Sequence, residues 1–347
     1  MTGPDPLAVA LSEAESRRIF IEQIAPRYRT GPTTGERPVV VFVAGQPGSG
    51  TSKAVSEVAG HLRMTRGAPV TIRQDDFAMF HPDADRLLQE YGVMTSGHTR
   101  LDEERWRRGV ADLAMADRSD VVVETTMSEP AAFQAQVEQF RVAGYSVEVQ
   151  FVATPEQESR LVVLQRYQME VERLGYGRLT PRDEYEASVR GLGEVAALID
   201  QGRIPVEYAS VVGRDGTPVS RGKIFNPAPL QATVTGEQHR PWTQAETQAF
   251  ANRISALSAR MGPAWLPELH SLVAAAGPYA HRSVPSPVLG GPAPPARSAP
   301  TVASRAFRTD TRELLAALSP DRHPELGHGP IPPQTSRAAG RNDVAQR

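Results

Sequence analysis

A glycine-rich stretch directly after an apolar run is the part of this sequence whose residue types and spacing best fit a chemical role. The run Val39–Ala44 predicts a buried strand, and Gly45 and Gly50 follow it with four residues between them. Glycines at this spacing, ahead of a helix, form a loop whose backbone N–H groups can surround a phosphate. The residues predicted to bind a nucleotide are Gly45, Gln46, Pro47, Gly48, Ser49, Gly50, Thr51, Ser52 and Lys53.

The stretch departs from the P-loop pattern Gly-x-x-x-x-Gly-Lys-Ser/Thr at one position. Thr51 stands where the lysine belongs, and Lys53 comes two residues late. Two residues of a helix differ in direction by about 200°, so a helix starting at Gly50 would turn Lys53 away from the phosphates. Ser52 keeps the place of the hydroxyl that holds magnesium. Three interpretations stay open: a catalytic phosphate loop, a loop that binds with weak catalysis, and a structural turn.

Two carboxylates follow other predicted strands. Asp75 comes after the short strand Val70–Ile72, and Glu124 follows three valines. Ligands of an open parallel sheet bind at the C-terminal ends of its strands. Asp75 is therefore the candidate base for an acceptor hydroxyl, and Glu124 the candidate partner of magnesium-bound water or of the substrate. The alternatives are a helix cap or surface turn for Asp75 and a solvated strand end for Glu124.

Two arginines could supply positive charge to a transferring phosphoryl group. Arg166 lies on a predicted long helix, and Arg178 lies in the turn after it, where a lid could fold over the nucleotide. Arginine in such a position stabilises the charge of the transition state. Both side chains could equally be ordinary solvent-facing arginines.

The elements that must position these residues alternate between strands and helices along residues 37–225. Alternation of this kind predicts a parallel α/β sheet with right-handed crossovers. A capped helix that starts at Ser12 and ends at Pro26 precedes the sheet, a polar loop over residues 95–100 precedes a helix with Trp106, and a hairpin around Asp215 ends the sheet. We expect the N-terminal helix to dock on the sheet domain.

The remaining chain changes character after residue 225. Thr243 and Glu246 predict a capped helix, and a shorter helix follows Pro263. The predicted organisation is an N-terminal docking helix and linker, a P-loop kinase-type domain, a helical extension and a Pro-rich, largely disordered tail, at residues 1–36, 37–225, 226–282 and 283–347.

Composition excludes several classes of protein. The 347 residues include 30 prolines and no cysteine, so disulfides and thiolate metal sites are excluded. A net charge of −2 gives no field that favours nucleic acid or an anionic membrane as a partner. No apolar stretch approaches the roughly 20 residues that cross a bilayer, and no secretory signal is evident. We expect a soluble, cytoplasmic protein.

Several segments together resemble the zeta-toxin family of kinases. They are the loop Gly45–Gly50, the run Ile72–Pro82, the segment Val123–Thr126, the segment Gln165–Tyr167 and the early helix from Leu11 to Pro26. The resemblance covers about residues 11–221 and none of the C-terminal third. It implies a P-loop kinase fold and the ATP- or GTP-dependent phosphorylation of a sugar hydroxyl of UDP-N-acetylglucosamine, a reaction that poisons cell-wall synthesis.

The resemblance also implies roles for single residues. Asp75 becomes the base, Ser52 the Mg²⁺ hydroxyl, and Arg166 and Arg178 the charge clamps. Glu124 and Thr126 become substrate-side residues. The resemblance further implies three partners: a nucleoside triphosphate, a small-molecule acceptor and a protein antitoxin.

Three positions depart from the family pattern. Thr51 replaces the loop lysine, Thr125 replaces the glycine after the strand-end glutamate, and Arg108 stands where the alignment expects a substrate-binding glutamate. We therefore keep two alternatives beside the nucleotide-sugar kinase. Arg108 favours a small-molecule kinase with a different acceptor, such as an antibiotic phosphotransferase, and Thr51 favours a nucleotide-binding pseudokinase that acts as an interaction protein.

Overall fold

The computed structural model describes residues 10–84, 86–87, 95–175, 177–223 and 229–289. Pro82 also predicts the start of a helix, and most of that helix, like the predicted tail beyond residue 289, lies outside these ranges. Among the described residues, no helix combines the length and the apolar character that a membrane span requires.

A six-stranded sheet forms the centre of the protein. Its strands, in chain order, are β1 (Val39–Ala44), β2 (Val70–Ile72), β3 (Val121–Thr125), β4 (Ser146–Ala153), β5 (Tyr208–Gly213) and β6 (Pro218–Lys223). Their spatial order is β2-β3-β1-β4-β5-β6, and all neighbouring pairs are parallel except the hairpin of β5 and β6. The predicted fold class, a mainly parallel α/β sheet of the P-loop kinase type, is confirmed, and so is the hairpin.

Helices cover both faces of the sheet. They are α1 (Glu13–Ile19), α2 (Ala25–Tyr28), α3 (Thr51–Thr65), α4 (Thr95–Ala116), α5 (Pro130–Val142), α6 (Glu156–Leu174), α7 (Arg182–Asp200), α8 (Leu230–Gln238), α9 (Gln244–Ser258) and α10 (Leu266–Ala276). Every residue of β1 is buried, as expected for the central strand of a parallel sheet with helices on both faces. The phosphate loop therefore starts from a fully buried strand in the middle of the sheet.

The N-terminal helix docks on the sheet domain as predicted but does not end at Pro26. Ile19 and Ile24 are buried in the main core, and a π-helical segment, Phe20–Ile24, joins α1 to α2, which carries Pro26 and continues to Tyr28. In an α-helix the proline ring clashes with the carbonyl four residues earlier. The wider π turn displaces that carbonyl, so the helix continues past Pro26.

Helix α4 begins at Thr95, so the predicted polar loop over residues 95–100 is wrong. Its buried stripe includes Trp106 and Val110, and the Trp106 indole donates to the Ser16 carbonyl oxygen at 3.0 Å. The helix thereby joins the N-terminal segment to the sheet.

The C-terminal helices pack on the sheet domain. Leu230 and Val234 of α8 belong to the main core, so that core extends past the boundary predicted at residue 225. The predicted cap of α9 is confirmed, since Thr243 and Glu246 form the reciprocal pair of hydrogen bonds. A second core joins α9 and α10 to Leu161 and Leu164 of α6. The extension therefore packs directly against the helix that carries Arg166.

Candidate active site

The glycine-rich loop lies between the end of β1 and the start of α3. Gly50 is the residue before α3, has a left-handed φ of 103° and provides no side-chain cap. The first-turn amides of the helix, from Thr51 onward, are therefore left for a ligand. Gly48 has a φ of 82°, and a Cβ at residue 48 would lie 2.2 Å from the Ser159 carbonyl oxygen. The loop has the backbone geometry of a phosphate-binding nest.

Buried polar contacts fix this loop to α6. Gln46 and Ser49 are fully buried. The Gln46 amide donates to the Thr154 carbonyl at 2.7 Å and to the Ser159 hydroxyl at 3.2 Å, and the Thr154 hydroxyl donates to the Ser49 carbonyl at 2.9 Å. The Ser159 hydroxyl and the Tyr185 hydroxyl lie 2.6 Å apart. Gln46 therefore fixes the loop through its side-chain amide, and Ser49 does so through its backbone carbonyl.

Lys53 points away from the loop, as the helical phase predicted. Its ammonium donates to the Asp215 carbonyl oxygen at 2.7 Å and lies 3.6 Å from the Glu57 carboxylate. Lys53 therefore does not replace the missing P-loop lysine through its own side chain.

Thr51 and Ser52 meet Glu124 at the end of the neighbouring strand β3. The Thr51 hydroxyl donates to one Glu124 oxygen at 2.6 Å, and the Ser52 hydroxyl donates to the same oxygen at 3.2 Å. A hydroxyl and a carboxylate are hard oxygen ligands, and Mg²⁺ is usually held by one or two of these together with substrate phosphates. The donor set fits Mg²⁺, although no cluster of three or more acidic, histidine or cysteine ligands occurs among the described residues.

Glu124 is an unusual carboxylate because it is mostly enclosed. Burial raises the pKa of Glu124; the hydrogen bond from Thr51 opposes this rise, and repulsion from Asp75 adds to it. Arg73, whose guanidinium donates to the Ser56 hydroxyl at 3.1 Å, also favours the ionised form. Asp75 and Glu124 are thus close enough for their charges to interact, as predicted from their two strand ends.

Asp75 and Arg166 form an exposed ion pair at the C-terminal edge of the sheet. Asp75 lies in the short 3₁₀ turn after β2, and its carboxylate is 3.9 Å from the Arg166 guanidinium. The two side chains are 63% and 48% exposed, so both can reach a ligand from solvent. The Tyr28 ring stacks on Phe77 directly after this turn. The docked N-terminal helix therefore helps to position Asp75.

Glu103 of α4 was not predicted, and it lies within electrostatic range of Asp75 and Arg178. Burial raises the pKa of Glu103; the hydrogen bond from Thr99 opposes this rise, Asp75 adds to it, and Arg178 opposes it. The Thr99 hydroxyl donates to Glu103 at 2.6 Å. The backbone N–H of Arg178 donates to Glu170 at 2.7 Å, and its guanidinium lies within electrostatic range of Glu103.

Arg108, predicted as a substrate-binding residue, lies on a different face of α4 from Glu103. Its side chain is 73% exposed and lies 3.5 Å from Glu104, one turn earlier on the outer face of α4. Arg108 comes five positions after Glu103 in the helix, so the two side chains point about 140° apart. The phase of the apolar stripe could have indicated this, because Glu103 precedes Trp106 and Val110 by three and seven residues and shares their face.

Thr126 follows β3 in a segment of unusual backbone. Its hydroxyl lies 3.4 Å from the Ser128 hydroxyl. Met127 is buried with a φ of 52°, and its carbonyl packs so closely on α7 that a Cβ at Gly191 would lie 1.9 Å away. A non-glycine residue in this region stores strain that only a fixed environment maintains. The segment holds Thr126 beside the end of β3.

The chain is similar to known proteins over the segment that carries the phosphate loop, Asp75 and Glu124. The family model described as zeta toxin matches residues 24–221. The chain is 24% identical to a toxin zeta of Enterococcus hirae over 158 residues, 45% of this chain and 54% of that protein. It is 22% identical to the toxin PezT of Streptococcus pneumoniae serotype 4 over 222 residues, 63% of this chain and 85% of that protein.

A solved structure shares the fold. A chain from the PezAT chromosomal toxin–antitoxin system of Streptococcus pneumoniae superposes with a TM-score of 0.61 and 19% identity, over 72% of this chain and 98% of that chain. The segment matched in the Enterococcus hirae toxin is only about half of that protein's length. Because the family model covers more than half of this chain, with the phosphate loop and both strand-end carboxylates inside the match, the protein belongs to the zeta toxin family.

Proposed function

We propose that this protein is a kinase that transfers the γ-phosphoryl group of ATP or GTP to a hydroxyl of a small molecule. The observation that carries the proposal is the Asp75–Arg166 pair, 3.9 Å apart, after the end of β2, two strands from the strand that carries the glycine-rich loop. A carboxylate and a guanidinium there supply a base for the hydroxyl and a positive charge for the phosphoryl group.

The nucleotide binds through the loop. Amides of the first turn of α3 surround the β-phosphate, and Gly48 and Gly50 give the backbone its shape. Ser52 and Glu124 would hold Mg²⁺, and the ion would supply positive charge to the phosphate oxygens. The chain itself keeps the γ-phosphate at the end of β1 facing Asp75.

The acceptor binds on the α4 side of the cleft. Asp75 takes the proton of the acceptor hydroxyl as the new oxygen–phosphorus bond forms and the bond to the β–γ bridging oxygen breaks. Glu103 and Thr126 bind the acceptor, and Glu103 replaces Arg108 in this role. Arg166 moves from Asp75 onto the phosphoryl oxygens, and Arg178 adds positive charge beside Glu103.

UDP-N-acetylglucosamine is the acceptor we propose. Membership in the zeta toxin family supports it, together with a carboxylate in Glu103 that can accept hydrogen bonds from sugar hydroxyl and amide groups. Arg108 had favoured a different acceptor, and its position on the outer face of α4 removes that support. We also propose a protein antitoxin as partner, since the solved relative comes from a toxin–antitoxin system.

Thr51 favours a second function, nucleotide binding without phosphoryl transfer. The position of the P-loop lysine is occupied by a hydroxyl that hydrogen-bonds Glu124. A protein of this kind would bind the triphosphate and act through contacts with another protein.

Purified protein incubated with labelled ATP or GTP, Mg²⁺ and UDP-N-acetylglucosamine tests these functions. The kinase proposal predicts a product heavier by one phosphoryl group, detected by mass spectrometry, and a rate about 10²–10⁴-fold lower in Asp75→Asn. The matched control is Asp112→Asn, an exposed carboxylate of α4, which should react at the wild-type rate.

The outcomes separate the alternatives. Nucleotide binding without transfer to any hydroxyl in a panel of metabolites supports the second function. If the protein phosphorylates only another metabolite, UDP-N-acetylglucosamine is not its acceptor. Equal rates in wild type and Asp75→Asn would refute Asp75 as the base.

A further inference from the structure

The turn between β5 and β6 lies over the start of α3. It is rigid: the Gly213 amide donates to the Thr217 carbonyl at 2.8 Å, and Asp215 accepts from the Thr217 amide and hydroxyl at 2.9 and 2.8 Å. A Cβ at Gly50 would lie 3.2 Å from the Arg214 carbonyl oxygen. The backbone of this turn therefore contacts the end of the phosphate loop.

Two cationic side chains join the turn to the loop and its helix. The Arg214 guanidinium donates to the Gly48 carbonyl at 2.8 Å. The Lys53 ammonium donates to the Asp215 carbonyl at 2.7 Å. The lysine that comes two residues late in the loop thus contacts the turn that carries Arg214.

Positive charge accumulates around Arg214. Partial burial lowers the pKa of Arg214, and repulsion from Arg253 acts in the same direction, while Glu158 opposes both. Arg253 of α9 donates to Glu158 at 2.6 Å and to Gln165 at 2.8 Å. Two guanidinium groups and one carboxylate border the loop, so an anionic ligand there relieves repulsion between the arginines.

We propose that Arg214 binds the phosphates of the nucleotide in place of the missing P-loop lysine, and that Lys53 is a positioning residue that holds the turn carrying Arg214. This inference rests on nucleotide binding by the loop, which is part of the proposed function. A guanidinium has five N–H donors, so one bond to Gly48 leaves donors for phosphate oxygens. The extension contributes through Arg253, which keeps positive charge next to Arg214.

Binding of ATP and of adenosine, measured by calorimetry, tests the proposal, with GTP and guanosine used if the protein prefers guanine. A charge-assisted hydrogen bond is worth about 1.5–3 kcal/mol, so Arg214→Gln should weaken ATP binding roughly 10- to 100-fold. Adenosine affinity should stay within about twofold, because adenosine has no phosphate for a cation to bind. Arg214→Lys should retain most of the ATP affinity, since it keeps the charge.

Lys53→Gln should weaken ATP binding in the same direction by a smaller factor, and Lys53→Arg should restore it because arginine can still donate to Asp215. The salt dependence of ATP binding should be flatter in Arg214→Gln than in wild type, since one cation fewer is screened. The matched control is Arg190→Gln, an exposed arginine of α7.

Each outcome bears on one claim. If wild type binds ATP and Arg214→Gln binds it equally well, this inference fails while the proposed function survives. Equal losses for ATP and adenosine would also overturn it, because they indicate contact with the base or a damaged fold. If wild type binds no triphosphate, the proposed function fails and this inference fails with it.

Discussion

Thr51 donates a 2.6 Å hydrogen bond to Glu124 from the position where the P-loop pattern has a lysine. A hydroxyl there satisfies the carboxylate of the neighbouring strand but supplies no charge to a phosphate. If Arg214 supplies that charge, the loop has exchanged its lysine for a cation from the β5–β6 turn.

The effect of Thr51→Lys on ATP binding should therefore depend on whether Arg214 is present. In the wild type, where Arg214 is present, we expect at most a few-fold tighter ATP binding. In Arg214→Gln, the new ammonium should recover most of the roughly 10- to 100-fold loss, because either cation can bind the same phosphates. Calorimetry on the four proteins of this double-mutant cycle measures the coupling.

The control for this cycle is Thr51→Val, which removes the hydroxyl without adding charge and should not restore binding. Purely additive effects of Thr51→Lys and Arg214→Gln on ATP binding would contradict the idea that cations at positions 51 and 214 bind the same phosphates.

Glu124→Gln should raise stability in a way that depends on pH. Burial raises the pKa of Glu124 above its ordinary value of 4.5, so the folded chain holds this proton more tightly than the unfolded chain. The resulting stability is present below the ordinary pKa and is lost as pH rises through the folded value. Glutamine does not ionise, so the variant avoids this loss. Its melting temperature should exceed that of wild type by a margin that grows from pH 4 and levels off once Glu124 is ionised in the folded protein.

Thermal unfolding at several pH values measures this margin. Glu138→Gln is the matched control, because it removes a carboxylate from the exposed face of α5. A pH-independent difference between Glu124→Gln and wild type would show that Glu124 is ionised equally easily in both states.

The strands and the loop were predictable because their signals are local. The apolar run Val39–Ala44, bounded by Pro38 and Gly45, predicts a buried strand, and the candidate carboxylates Asp75 and Glu124 come after shorter apolar segments. Glu103 and Arg214 were not predicted because their roles depend on which face of α4 and which turn the fold brings to the loop. Leu230 lies past the boundary predicted at residue 225 and packs in the main core, a contact that the local sequence around it does not indicate.

Glu103→Gln and Arg108→Gln should differ in their effect on the acceptor. Glu103 interacts with Asp75 and Arg178 at the cleft, whereas Arg108 pairs with Glu104 on the outer face of α4. Loss of a charged hydrogen-bond acceptor typically costs about 1.5–3 kcal/mol, so Glu103→Gln should raise the KM for the acceptor roughly 10-fold or more. Arg108→Gln should leave the KM unchanged, as expected for an exposed helix pair.

Steady-state kinetics with the acceptor varied at saturating nucleotide measures both values. The reverse result, with Arg108→Gln impaired and Glu103→Gln normal, would restore the assignment made from the alignment.

Arg166→Gln should lower phosphoryl transfer while leaving the fold intact. The Arg166–Asp75 pair is 3.9 Å apart and about half exposed, and pairs of this kind contribute at most about 1 kcal/mol to stability. An arginine that stabilises the transferring phosphoryl group contributes far more to rate, on the order of 10³-fold or more. The transfer rate and the melting temperature, compared with those of the exposed Arg190→Gln, measure the two effects, and a parallel fall in both would indicate a structural role.

Ile254→Ala should destabilise the sheet domain and the extension together. Ile254 of α9 is fully buried in the core that also contains Leu161 and Leu164 of α6. Removing such a side chain typically costs about 2–5 kcal/mol. Because the core is shared with α6, hydrogen exchange in α6 and α9 should accelerate by similar factors.

The matched control is Asn252→Ala, at an exposed position of α9, which should change stability by less than about 0.5 kcal/mol. If α9 and α10 unfolded first and left α6 protected, the extension would be a separate domain, and Arg253 could not act on Arg214 from a fixed position.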